Sequence, residues 1–146
     1  DLIKNELFLV GNSSSSTPLT GDKTISDSTF LFREEGSRTR LVMENFIAKN
    51  KIKIKKKIEL TSNEAVKQSV IAGLGLSIMP LIGIRNEIEN GLLKIIPMKG
   101  LPIQTTWQLI WLKEKRLSPI AESYLQYLEK EKENITKNYF SLPNHQ

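Results

Sequence analysis

The chain has 146 residues, 39% of them hydrophobic and 25% charged, with a formal net charge of +5. These values suit one soluble domain with a real core and exclude a disordered chain. Cysteine is absent and the one histidine, His145, sits beside the C-terminus, so disulfides, thiolate metal sites and a cysteine nucleophile are excluded, and neither a histidine zinc site nor a Ser-His-Asp triad is expected.

No apolar run approaches the ~18 residues that a membrane span needs, and no basic-then-apolar leader opens the chain. No membrane partner is expected, and a cytoplasmic location fits. The chain starts at Asp1 without an initiator methionine and enters a strand-like run almost at once. That points to a segment of a longer protein.

In chain order, "ELFLVG" (residues 6–11) reads as a short buried strand ended by glycine, and "NSSSSTPLTGDKT" (12–24) as a loop or linker. "TFLF" gives a second strand, Phe30 to Phe32, closed by Gly36. Leu41, Val42, Met43, Phe46 and Ile47 recur at roughly the helical period behind Ser37, so a helix is predicted over 37–49 with Ser37 as its N-cap. In "IKIKKKIEL" (52–60), Ile52, Ile54, Ile58 and Leu60 share one face of a half-buried strand, with lysines opposite and Lys56 near a sheet edge.

Thr61 and Glu64 have capping-box spacing before a helix whose stripe is Ala65, Val66, Val70 and Ile71, stopped at Gly73. A strand over 74–79 ends at Pro80, a short helix over 81–91 ends at Gly91, and strands follow over 92–98 and 105–113. Ser118-Pro119 opens a last helix, striped by Ile120, Ala121, Tyr124, Leu125 and Leu128, that fades into "EKEKEN"; the final ten residues read as a loose tail. Strand and helix alternate in short units, which argues for an α/β fold around a mainly parallel sheet.

Such sheets bind ligands where strands hand over to helices. Two handovers are unusually polar: Arg33 to Arg40, "REEGSRTR", and Thr61 to Glu64, "TSNE". Free backbone N–H groups and the positive ends of two helix dipoles would suit a small carboxylate or phosphate. Capping alone explains each junction equally well; their similar design favours a site. Gly73-Leu74-Gly75 follows a helix and precedes a strand, the wrong order for a dinucleotide loop. The lysines at 51–57 read as a solvated strand face, and Trp107 and Trp111 as core. Glu34 and Glu35 have no partner that would make them acid, base or nucleophile. No catalytic constellation emerges, so neither an enzyme nor a cofactor is expected.

"FLFREEGSRTRLVMENFIAKN", "ELTSNEAVKQSVIAGLGLSIMP", "ENGLLKIIPMKG" and "LSPIAESYLQYL" together resemble, in order and spacing, the effector-binding domain of LysR-type transcriptional regulators over residues 2–128. The resemblance implies a type 2 periplasmic-binding-protein-like α/β fold: two α/β subdomains with a small-molecule effector in the cleft between them. Residues 19–102 would be subdomain II; 1–18 and 103–146 would be the remaining part of an incomplete subdomain I. It further implies effector contacts from Ser37, Arg38 and Thr39, from Thr61, Ser62 and Asn63, from Ile78, Met79 and Pro80, and from Val10 and Gly11 near the hinge, with Glu34 beside them. A homodimer through the helix at 38–49 is implied as well. DNA contact would come only through a winged helix-turn-helix that this chain lacks, along with hydroxyl ligands of the opposite cleft wall. The alternative of another class is a solute-binding domain of a transport system, which an export signal upstream would favour.

Overall fold

The computed structural model describes residues 1–15, 22–114 and 116–142. Its elements are β1 (Ile3–Asn12), α1 (Asp22–Asp27), β2 (Thr29–Arg33), α2 (Arg38–Lys49), β3 (Lys56–Leu60), α3 (Asn63–Ile71) and β4 (Ser77–Pro80). A 3-10 turn (Leu81–Gly83), α4 (Arg85–Glu89), β5 (Leu93–Ile95), β6 (Ile103–Trp107) and α5 (Pro119–Tyr139) complete the chain.

The apolar runs at 7–10, 30–32 and 78–79 have no polar face because their strands are buried on both sides. Leu7, Leu9, Phe30, Phe32 and Ile78 point to one side, where Met43 and Phe46 of α2 and Ile25 of α1 cover them. Phe8, Val10, Leu31 and Met79 point to the other, under Val66 and Val70 of α3, with Leu81 and Ile84. The result is a helix–sheet–helix sandwich. At ~1.5–3 kcal/mol per buried large apolar side chain, these two layers dominate the stability.

The expected mainly parallel sheet is corrected. β1 runs antiparallel to β4 on one edge and to β6 and then β5 on the other. Among the described residues, parallel pairing is confined to β2–β3 and to one bridge, Phe30 to Leu76, where Leu31 N–H donates to the Leu76 carbonyl at 2.8 Å and Leu76 N–H to the Thr29 carbonyl at 2.9 Å. The β2–α2–β3 and β3–α3–β4 units are true crossovers, whereas β1 enters from the opposite direction between their product and the chain's later strands.

Element ends also moved. Asp22–Asp27 is helical where a loop was expected, and residues 16–21 of that loop lie outside the described residues. The helix expected over 81–91 splits into the 3-10 turn and α4. The strand expected to reach Lys113 ends at Trp107, and the one over 92–98 shrinks to Leu93–Ile95. β3 starts only at Lys56, with Ile52 and Ile54 packed under α2 from a preceding irregular segment.

α5 runs through the charged segment to Tyr139, well into the expected tail. Its end is held in place: Phe140 meets Trp107 edge-to-face at 5.4 Å, and Arg85 Nε donates to the Ser141 carbonyl at 3.0 Å. Still, no residue of α5 is buried, and Trp107 and Trp111, expected in the core, are 45% and 54% exposed. Among the described residues, no helix is long and apolar enough to cross a membrane.

Candidate functional site

The start of α2, the start of α3 and the β1–β6 ladder enclose an open cleft of about 190 Å³. One wall is Arg38, Thr39 and Val42 of α2 with Asn63 of α3; the floor and far side are Asn5, Leu7, Pro80, Thr105, Thr106 and Trp107. The crossovers put both helix starts on the same sheet edge because β2 and β3, which precede them, are parallel neighbours.

Ser37 is the N-cap of α2 and makes no capping side-chain hydrogen bond, so its hydroxyl does not cover the first-turn N–H groups of α2. α3 is capped by Ser62, whose hydroxyl accepts from Ala65 N–H at 3.0 Å. The capping box expected at Thr61 is therefore displaced by one residue. Glu64 does not reach back; it accepts from Gln68 at 2.8 Å and pairs with Lys67 at 2.9 Å. Each helix end contributes ~0.3–1 kcal/mol toward an anion.

Three arginines surround the α2 start, and their partners differ. Arg33 grips Glu34 with both Nε (2.7 Å) and Nη2 (2.8 Å), and its Nη1 donates to Asn63 Oδ1. That grip, reinforced by a backbone N–H, holds the Glu34 carboxyl at about 2 rather than 4.5. Asn63 thus has its amide oxygen committed, which leaves its N–H₂ as the end open to a ligand. Arg40 is buried and saturated by Glu44 (2.7 Å), Glu59, Glu35 (3.5 Å) and the Arg33 carbonyl (3.1 Å). Arg38 makes no ion pair among the described residues, yet it lines the cleft. An unmatched guanidinium and the Asn63 amide, beside the start of α2, form a wall suited to an oxyanion.

Of the residues singled out in the sequence, Arg38, Thr39, Asn63 and Pro80 come together here. The others are placed elsewhere. Val10, Ile78 and Met79 are core side chains, and Gly11 sits in the ladder opposite Lys94. Ser62 is used as a cap, Thr61 is exposed outside the cleft, Glu34 is neutralised by Arg33, and Ser37 opens onto a neighbouring surface hollow with Glu35 and Leu41. Sequence reasoning missed Asn5, Thr105 and Thr106. Asn5 lies just before the strand read over 6–11, and Thr105 and Thr106 open the one read over 105–113, so only their polarity at strand ends could have marked them. Among the described residues, no three His, Cys, Asp or Glu side chains gather as metal ligands would.

The family profile described as LysR substrate binding domain matches residues 2–133. The chain is 37% identical over 131 residues to the HTH-type transcriptional activator CmpR of Synechocystis, aligning 86% of this chain with 42% of that one. It is 39% identical over 116 residues to the RuBisCO operon transcriptional regulator of Acidithiobacillus ferrooxidans, 76% of this chain and 38% of the relative. In structure it is similar to the Synechocystis CcmR regulatory domain in complex with 2-PG, with a TM-score of 0.81 and 29% identity, over 92% of this chain and 66% of that one. The chain thus spans less than half the length of these curated relatives.

Proposed function

The chain belongs to the LysR substrate-binding domain family and carries its type 2 periplasmic-binding-protein-like α/β fold, and on that premise we propose that it senses a small anionic effector on behalf of a LysR-type transcriptional regulator. The observation that carries this reading is Arg38, an arginine unmatched among the described residues, in a cleft where its neighbours Arg33 and Arg40 are already satisfied by carboxylates. Arg38 is exposed, so its guanidinium is hydrated and free to pair with an anion that enters the cleft.

In this reading, residues 19–102 are subdomain II, and residues 1–18 with 103–146 are the remaining part of subdomain I. The setting apart of α5 draws support from the core, since no α5 residue belongs to either buried layer, whereas Leu7 to Val10 of β1 pack in both layers with α2 and α3. β1 and β6 cross between the two parts and floor the cleft. An effector bridging that floor to the starts of α2 and α3 would favour one inter-subdomain angle by its differential affinity. The regulator would act as a cytoplasmic dimer through α2, touching DNA through a winged helix-turn-helix supplied outside this segment. 2-PG, the ligand of CcmR, is the first effector to test, and a RuBisCO operon is the class of target that the relatives' names suggest.

Calorimetry and thermal-shift titration with 2-PG, inorganic phosphate and small carboxylates test the proposal. At least one anion should bind, Arg38→Gln should weaken it about tenfold or more, and Thr61→Ala should leave it unchanged. Binding indifferent to Arg38→Gln, or no binding by any of these anions, would overturn it.

A further inference from the structure

Asn5 is 4% exposed, and its Oδ1 is a buried acceptor without a hydrogen-bond partner. Buried polar atoms are nearly always satisfied, and an orphan calls for a reason. The amide orientation follows from its neighbours. Thr105 Oγ1 donates its only proton to the Asn5 backbone carbonyl at 3.2 Å, so Asn5 must be the donor in its own 3.3 Å contact with Thr105 Oγ1. Nδ2 is thereby used, and Oδ1 is the end left over.

Asn5 and Thr105 are directly paired across the β1–β6 ladder, and paired residues of an antiparallel ladder project to the same face. Leu7, two residues along β1, shares that face, and all three line the cleft. Opposite them stand Arg38, which can only donate, and Asn63, whose acceptor oxygen is already taken by Arg33. The cleft therefore sets Arg38 and Asn63 opposite a floor residue, Asn5, whose unmet Oδ1 is buried just beneath the cleft surface.

Resting on the effector reading above, we propose that the effector is a hydroxylated anion: its charged group meets Arg38 and the helix starts, and its hydroxyl donates to Asn5 Oδ1. The terminal torsion of asparagine is broad, and its bond to Thr105 is long at 3.3 Å, so the amide can give up that bond and rotate Oδ1 toward an incoming hydroxyl. An anion lacking the hydroxyl would leave that acceptor unmet, and sites built to hydrogen-bond a ligand hydroxyl discriminate strongly against analogues without it.

Matched pairs test this on the full chain: glycerol 3-phosphate against propyl phosphate, and glycerate against propionate, titrated by calorimetry. The hydroxylated member of the pair with the preferred anionic group should bind ~10–100-fold tighter, as expected for one satisfied against one orphaned buried acceptor. Asn5→Leu should bring the two members within about threefold by weakening the hydroxylated one, while Arg38→Gln weakens both. Equal binding within each pair to wild type, with Arg38→Gln weakening both members, leaves the cleft assignment standing and overturns the hydroxyl inference. A preference that survives Asn5→Leu also overturns it. If neither member of either pair binds wild type, the hydroxylated-anion assignment fails; it takes the effector reading with it only if 2-PG, phosphate and simple carboxylates also fail to bind.

Discussion

Replacing Gly75 with alanine tests whether one close backbone approach joins the two halves of the sheet. An added Cβ would lie 2.3 Å from the Thr29 carbonyl oxygen, 3.0 Å from its carbon and 3.2 Å from Thr29 Cβ. Ordinary C···O approach is about 3.3 Å, so the strands must separate by about 1 Å. The neighbours are backbone and cannot swing away. The two hydrogen bonds of the Phe30–Leu76 bridge flank this point, at 2.8 and 2.9 Å. Weakening both costs about 1 kcal/mol each, and the overpacking adds about 1–3 kcal/mol. A loss of about 3–5 kcal/mol follows, a fall in Tm on the order of 10 °C for a chain of this size. Gly91→Ala is the control: its φ is +70° but nothing lies within 4 Å of the added atom, so only the left-handed backbone cost of about 1–2 kcal/mol applies. Thermal and urea unfolding followed by circular dichroism would compare the two. A Gly75→Ala loss no greater than that of Gly91→Ala would refute the steric argument.

Ser62→Ala should cost about 1 kcal/mol by uncapping α3, whereas Thr61→Ala should stay within about 0.5 kcal/mol; the same unfolding curves decide, and a larger loss at Thr61 would restore the capping box. The Glu34 carboxyl lies at about 2 in the folded chain against 4.5 ordinarily, held down chiefly by the Arg33 hydrogen bond. A depressed folded-state value stabilises the native state above 4.5 and loses that contribution as pH falls from 4.5 through about 2. Glu34→Gln should therefore be less stable than wild type at neutral pH and converge on it in acid, and a gap in Tm that is constant with pH would exclude the pair as its source.

The local chemistry of the chain was readable without coordinates wherever period and punctuation agreed. Met43 and Phe46 marked the buried stripe of α2, Val66 and Val70 that of α3, and the uninterrupted runs around Leu9, Leu31 and Ile78 marked strands covered on both faces. The polar helix starts at 33–40 and 61–64 were also visible, and Arg38, Thr39 and Asn63, which the family resemblance named there, line the cleft. Apolar period and capping chemistry are local, acting within a turn or two of helix, so sequence carries them. Strand direction is not local: β1 looks the same whether its neighbours run with it or against it, and only the assembled sheet made them antiparallel. The floor of the cleft, Asn5 against Thr105, joins residues a hundred positions apart. The same holds for the end of α5, where Phe140 meets Trp107 of a distant strand. Which arginine is left unmatched was likewise decided in three dimensions, because Glu59 reaches Arg40 from another strand and leaves Arg38 to face the cleft.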